Sequence, residues 1–213
     1  DTGSTPASQI LAFTQSEGTK FEVFKTQFIW SKVTLNRGLF PTAGQSQSFA
    51  LQVAVPGSSL TYSKLTYRHK YFKPIFDGRF VLGFRGEIGA LEPYGDTEVA
   101  PFFEHYYAGG ISSVRGFKQN TLGPRAIPSQ FYLDNEGNPI TGDDGNPILN
   151  PYSYYRDDRS IGGAYLIEGG FDFIFKLPFI EDQRSMRSTF FVYIVNVFSK
   201  DCVIDQSNIN CSL

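Results

Sequence analysis

The sequence predicts an all-β fold: an antiparallel transmembrane β-barrel, with about six of its strands present in this chain. Three observations point there. Apolar and polar residues alternate strictly over segments of about ten residues, the length a tilted strand needs to cross a bilayer. The composition is rich in Phe (21), Tyr (12) and Gly (21), against one Met and one Trp. Finally, compact turns on one side of the strands contrast with a single very long connection on the other, as in outer-membrane barrels.

Taken in order, Phe21 to Val33 reads as a first strand with Phe24, Phe28 and Trp30 on one face. From Ser48 to Val55, Phe49, Leu51, Val53 and Val55 alternate with Ser48, Ala50, Gln52 and Ala54. Lys64 to Lys73 sets Leu65, Tyr67 and Tyr71 against Lys64, Thr66, Arg68 and Lys70, with His69 interrupting the apolar face. In Arg79 to Gly89, Phe80, Leu82, Phe84 and Ile88 oppose Arg79, Val81, Gly83, Arg85 and Glu87. Tyr165 to Leu177 places Phe171, Phe173 and Phe175 opposite Glu168, Gly170 and Asp172. The last segment, Thr189 to Phe198, is apolar on both faces, so alternation does not orient it.

Pro41 to Gly44, Phe76 to Gly78 and Pro178 to Asp182 carry the Gly, Pro and Asp of tight turns and are expected on the periplasmic side; Pro56-Gly57-Ser58 is a turn on the other. The connection 90–162 runs about seventy residues without a convincing ladder. Loops of that length are usually functional or disordered. Within it, Asn135 to Ile140 is echoed by Asp143 to Ile148, which reads as local hairpin turn chemistry.

A soluble β-sandwich is the alternative with the same period. Its interior would not carry Lys64, Arg68, Arg85 and Glu87, and its apolar faces would hold fewer aromatics. Hydrophobic residues make up 41% of the chain, and no apolar run approaches the length of a membrane-spanning helix. A formal charge of −2 provides no electrostatic reason to expect nucleic acid. Neither end resembles a signal peptide, and the chain reads as an excised segment, residues 1–213 forming a partial barrel domain. Six strands do not close a membrane barrel, which starts at about eight. An open edge in lipid is costly, so the remaining strands are expected from outside these residues.

Pro101 to Gly110, Ser113-Val114-Arg115-Gly116-Phe117 and Asn120 to Arg125 together resemble the BamA family, the central subunit of the outer-membrane β-barrel assembly machinery (BamA/TamA superfamily). Leu35 to Gly44, Pro56 to Ser58, Phe171-Asp172-Phe173 and Pro178-Phe179-Ile180 look like further segments of the same pattern, in the same order. The resemblance implies the later-middle part of a sixteen-stranded barrel, an even number within the range such barrels use. It also implies that the long loop folds back into the lumen, where its Arg meets acidic groups on the following strands. Arg115 is therefore expected to pair with Asp172, with Glu168 second, since its planar fork suits a carboxylate. Gly116 would allow a left-handed tip, and Phe117 would wedge against the wall. The family's Asp and Gly on the next strand are replaced here by Tyr193 and Val195, which removes a second polar anchor.

Cys202 and Cys211, beyond the last strand on the expected extracellular side, are read as a disulfide in preference to free thiols. His69 and His105 belong to no ligand-spaced cluster, so no metal is expected, and no cofactor. Glu168 and Asp172 could be cast as a catalytic acid pair, but ion pairing on a lumen face explains them. With no nucleophile motif in view, an enzyme is not expected. The function implied by the resemblance is folding and insertion of client β-barrel proteins into the bacterial outer membrane. Implied partners are unfolded outer-membrane clients, accessory assembly lipoproteins and outer-membrane lipids. The alternatives are a TamA-like or two-partner-secretion translocator and a passive porin or receptor barrel.

Overall fold

A computed structural model describes residues 8–125, 129–134, 138–151, 160–175 and 188–199. Six strands form one antiparallel sheet in sequential order: β1 (Lys25–Val33), β2 (Gly44–Ala54), β3 (Tyr62–Ile75), β4 (Phe80–Pro93), β5 (Tyr165–Phe175) and β6 (Ser188–Phe198). The sheet does not close on itself, since β1 and β6 each pair on one side only. All six alternating segments are strands, with shifted ends. β2 begins four residues earlier than alternation marks, because Gly44 to Gln47 pair with His69 to Phe72 of β3 although Gln45 and Gln47 break the apolar pattern. β1 begins later than expected. Ahead of it, Phe21 and Val23 pack on a buried cluster, while the Glu22 and Phe24 carbonyls accept from Ser59 and Val55 N–H and their own N–H groups donate to the Ser59 and Ser58 hydroxyls.

A helix not marked by the sequence pattern, α1 (Ser8–Glu17), precedes the sheet. Among its described side chains, Phe13 is the buried apolar anchor. Phe13, 2% exposed, lies edge-on to Phe102 at 5.4 Å and beside Phe21 at 5.7 Å. A single anchored ring leaves little periodic signal to read.

The register assigns every strand residue to a face. On one face, buried Tyr62, Leu91, Leu166, Val197 and Asp172 lie beneath the long connection, here 94–164. This is the inner face. The other keeps Phe28, Trp30, Phe84, Ile88, Ile167, Phe171, Phe190 and Val192 exposed. An apolar surface on that scale is expected only where lipid covers it.

The apolar band on this outer face also slants. It is centred near Phe28 and Trp30 on β1 and near Val192 on β6, two cross-strand rows nearer the short turns. Strands tilted at about 40° and spaced about 4.8 Å apart should displace a level band by about six residues over five steps. The Val192 row lies two rows from Trp30 and three from Phe28, so the slant has the size expected of tilted strands in a bilayer.

Inside the connection, Phe131↔Leu149, Leu133↔Pro139 and Thr141↔Pro147 pair as one small meander. Asp134 N–H donates to the Asn138 carbonyl at 2.9 Å and Gly142 N–H to the Asn146 carbonyl at 2.8 Å. Cys202 and Cys211 lie outside the described residues, as does the turn Pro178 to Asp182.

Candidate functional site: the loop docked on the inner face

The loop descends the inner face from the long-loop end, making polar contacts at three successive levels. At the first, Glu104 of a short 3-10 turn (Phe102–Glu104) meets two strand lysines. Lys25 Nζ donates to its Oε1 at 2.5 Å, and the Tyr62 hydroxyl donates to the same oxygen at 3.0 Å. Lys64 Nζ reaches Oε2 at 3.3 Å and the Glu104 carbonyl at 2.6 Å. Lys64 also lies over the Tyr106 ring, 4.8 Å from its centroid. Tyr106 then bonds Leu65 O and Thr66 Oγ1, each at 2.8 Å, and its ring lies flat against Gly89.

Burial alone would raise the Glu104 carboxyl, but the Lys25 hydrogen bond, the Lys64 charge and the Tyr62 hydroxyl outweigh it and hold the carboxyl below its ordinary range. Burial pushes the Tyr106 phenol up, so it stays neutral. For a carboxylate lowered in the folded state, the stabilisation is complete above the ordinary carboxylate range and is lost as pH falls through the lowered value. Loop docking should therefore persist through mildly acidic pH and fail only below that range. Protease cleavage of the loop against pH checks this, and Glu104→Gln should remove the acid step while raising cleavage at neutral pH.

At the second level the strands contribute facing acids. Glu87 and Glu168 are direct cross-strand partners, a like-charge pairing that needs compensation. Arg68 meets Glu87 at 2.8 Å, and the Ser113 hydroxyl donates to Glu168 Oε2 at 2.5 Å. Ser113 stands two residues before Arg115, so the loop motif reaches the acidic row through a hydroxyl.

The third level corrects the expected pairing. Asp172, 5% exposed, is held by Arg85 Nη2 at 2.9 Å and by the Tyr193 hydroxyl at 3.2 Å. Arg115 pairs with neither Asp172 nor Glu168; its guanidinium lies over the Phe191 ring at 5.3 Å. The register explains the exchange. Asp172 opposes Gly83 and Arg85 opposes Gly170, so Arg85 is the diagonal neighbour of Asp172 on the same face. A strand Arg already in place occupies the carboxylate before a loop residue can. Arg85 also stacks on Tyr193 at 4.8 Å.

Tyr193, read from sequence as removing a second polar anchor for the loop, instead holds Asp172 within the sheet, and Phe191 supplies the platform for Arg115. The signal for Arg85 was present, since it sits on the polar face of its segment; what was missing was the register. Within the motif, Val114 is buried at 4% and Gly116 adopts φ +95°, a left-handed tip that disfavours any Cβ. The turn is closed by Gly110 N–H to the Phe117 carbonyl at 3.1 Å. Phe117 does not wedge inward; it stays 53% exposed.

Since Arg115 is held by a ring and not a carboxylate, Arg115→Ala should loosen the tip by about 0.5–2 kcal/mol, less than loss of a buried ion pair. Hydrogen exchange at residues 110–117 measures it, and Phe191→Leu should reproduce the change. No group of three or more His, Cys, Asp or Glu able to hold a metal occurs among the described residues.

Comparison with known proteins matches this architecture. A model of the Omp85 superfamily domain matches residues 2–211. The outer membrane protein assembly factor BamA of Neisseria meningitidis serogroup B is 28% identical over 186 residues, which is 87% of this chain and 20% of that protein. The crystal structure of BamA from Haemophilus ducreyi lacking POTRA domains 1–3 superposes with a TM-score of 0.72 at 25% identity, over 93% of this chain and 36% of the other. The chain thus spans about a fifth of the length of the curated relative. With its strands, its docked loop and nearly its whole length matching one family, this chain belongs to the Omp85 superfamily.

Proposed function

We propose that this chain is part of the barrel of an outer-membrane protein assembly factor, which folds and inserts client β-barrel proteins into the bacterial outer membrane. The observation that carries the reading is the long loop, seated on the inner face through Glu104, Ser113 and Arg115, in a chain similar to BamA over most of its length. A loop held at three levels keeps the neighbouring strands in one arrangement while lipid and client meet the barrel from outside. The action is non-enzymatic and needs no cofactor. Its partners are unfolded barrel clients, outer-membrane lipids and accessory lipoproteins of the same machinery. Templating of client strands follows from the readiness of an exposed strand edge to pair with an incoming chain.

The test is reconstitution of the full-length protein in vesicles and measurement of the folding rate of an added, unfolded client barrel. Client folding well above that in empty vesicles is expected, with Arg115→Ala slowing it. Ion conductance through the vesicles with no acceleration of client folding would instead assign a passive channel.

A further inference from the structure

The outer face carries one feature that the apolar band does not explain. Strands β1, β2 and β3 contain no Asp or Glu. Their outward residues on the short-turn side of the band are polar or basic, apart from the terminal Ile75 of β3. Lys32 pairs across to Gln47, and Gln47 to His69, so the three side chains form one continuous row. Immediately above it, on the same face, run Trp30, Phe49 and Tyr67, the edge of the apolar band. Two residues beyond His69 on each step lie Tyr71 and then Lys73. Lys32 and Lys73 are exposed and form no ion pair among the described residues.

The His69 ring is held between Tyr67 at 6.4 Å and Phe84 at 6.2 Å, and its Nε2 is buried without a hydrogen-bond partner. The next residue in the row is Gly86, and the Phe84 ring lies over it, closing that end of the row. A row with one unpaired cation, a carboxamide and an imidazole, with a second unpaired cation four residues further along β3, at the border of an apolar band, has the chemistry of a phosphate site at headgroup depth. Lys stems bury along apolar surface while their ammonium groups reach for anions at that depth.

We propose that the Lys32–Gln47–His69 row, with Lys73 beside it, binds the phosphate headgroup of an anionic phospholipid in the leaflet on the short-turn side. The acyl chains of that lipid lie over the adjoining apolar band. Lys32 and Lys73 supply the charge and Gln47 a neutral donor, while the His69 ring, buried between Tyr67 and Phe84, forms the floor of the row. The inference extends the membrane reading of this face and does not depend on the assembly activity.

Trp30, the only tryptophan of the chain, stands two residues from Lys32 on the same face and reports on it directly. The full-length protein, with any tryptophan outside this chain replaced by phenylalanine, is placed in vesicles of equal parts phosphatidylcholine and phosphatidylglycerol. Bromine is carried on the acyl chains of one lipid or the other. Brominated phosphatidylglycerol should quench Trp30 about three- to fivefold more effectively than brominated phosphatidylcholine. Lys32→Gln and Lys73→Gln, both at exposed positions, should bring the ratio towards unity. Lys70→Gln, on the same strand but facing inward, should leave it unchanged. Equal quenching by the two lipids in the unmodified protein overturns the proposal, as does a ratio that Lys32→Gln does not move or that Lys70→Gln lowers equally. A photoreactive residue at position 47 that crosslinks to a protein and not to phospholipid would make the row a protein interface and also overturn it.

Discussion

Arg85→Ala is expected to destabilise the barrel wall more than any change within the loop motif itself. Asp172 is 5% exposed and its carboxylate is held by Arg85 and Tyr193. Removing the guanidinium leaves a buried charge with one neutral donor, and loss of one partner of a buried pair costs about 3–5 kcal/mol. Arg85 keeps 22% side-chain exposure, so solvent recovers part of that, and a loss of about 2–3 kcal/mol is expected. The midpoint of urea unfolding, followed by the mobility difference between folded and unfolded barrel, measures it. Arg85→Lys should recover part of the loss, since it keeps the charge but not the fork. Tyr193→Phe should cost about 1 kcal/mol, the value of one hydrogen bond. If Arg115→Ala proves more costly than Arg85→Ala, the loop Arg and not the strand Arg is the partner of Asp172, and the assignment made from the register is wrong.

Gly89→Val should release the loop while leaving the sheet paired. A Cβ at Gly89 would stand 2.6 Å from two atoms of the Tyr106 ring, where no side chain fits unless the ring moves. Overpacking of this kind costs about 1–3 kcal/mol. Displacement of the ring also breaks the bonds of Tyr106 to Leu65 and Thr66 and withdraws the platform under Lys64. Glu104, two residues earlier, is expected to follow, so protease cleavage within 94–164 should rise by more than tenfold, as a docking loss above about 1.4 kcal/mol requires. Tyr106→Ala added to Gly89→Val should restore sheet stability without restoring loop protection. That non-additive result separates a steric clash from a general weakening of β4. Unchanged loop protection in Gly89→Val would mean that Tyr106 does not anchor the loop.

These two variants probe opposite kinds of information. Gly89 is invisible to alternation, because a glycine on a polar face reads as an ordinary small residue. Its role comes from a ring delivered by the loop, seventeen positions further along. Arg85 was visible as a polar-face residue, but its partner was not. The partner depends on which residue of β5 lies diagonally opposite, and a one-residue shift would have sent Asp172 to the lipid face. Tyr193 shows the same limit from the other direction. Judged by family pattern it replaces an acid and subtracts an anchor, whereas in place its hydroxyl completes the shell of Asp172.

What the sequence by itself determined is the set of strands, the two faces of the sheet, the long loop and the family to which its motif points. The strands, faces and loop rest on local periodicity and turn chemistry, which act between residues close together in the chain, and the family rests on the resemblance of the loop motif. The tertiary structure alone decided the short helix anchored by Phe13, the ends of β1 and β2, and every charge pairing on the inner face. Those depend on register and on how far a seventy-residue connection reaches before it docks. A carboxylate buried on a sheet takes the nearest cation the register provides, and for Asp172 that is Arg85 on the adjacent strand, with Arg115 left to the face of Phe191.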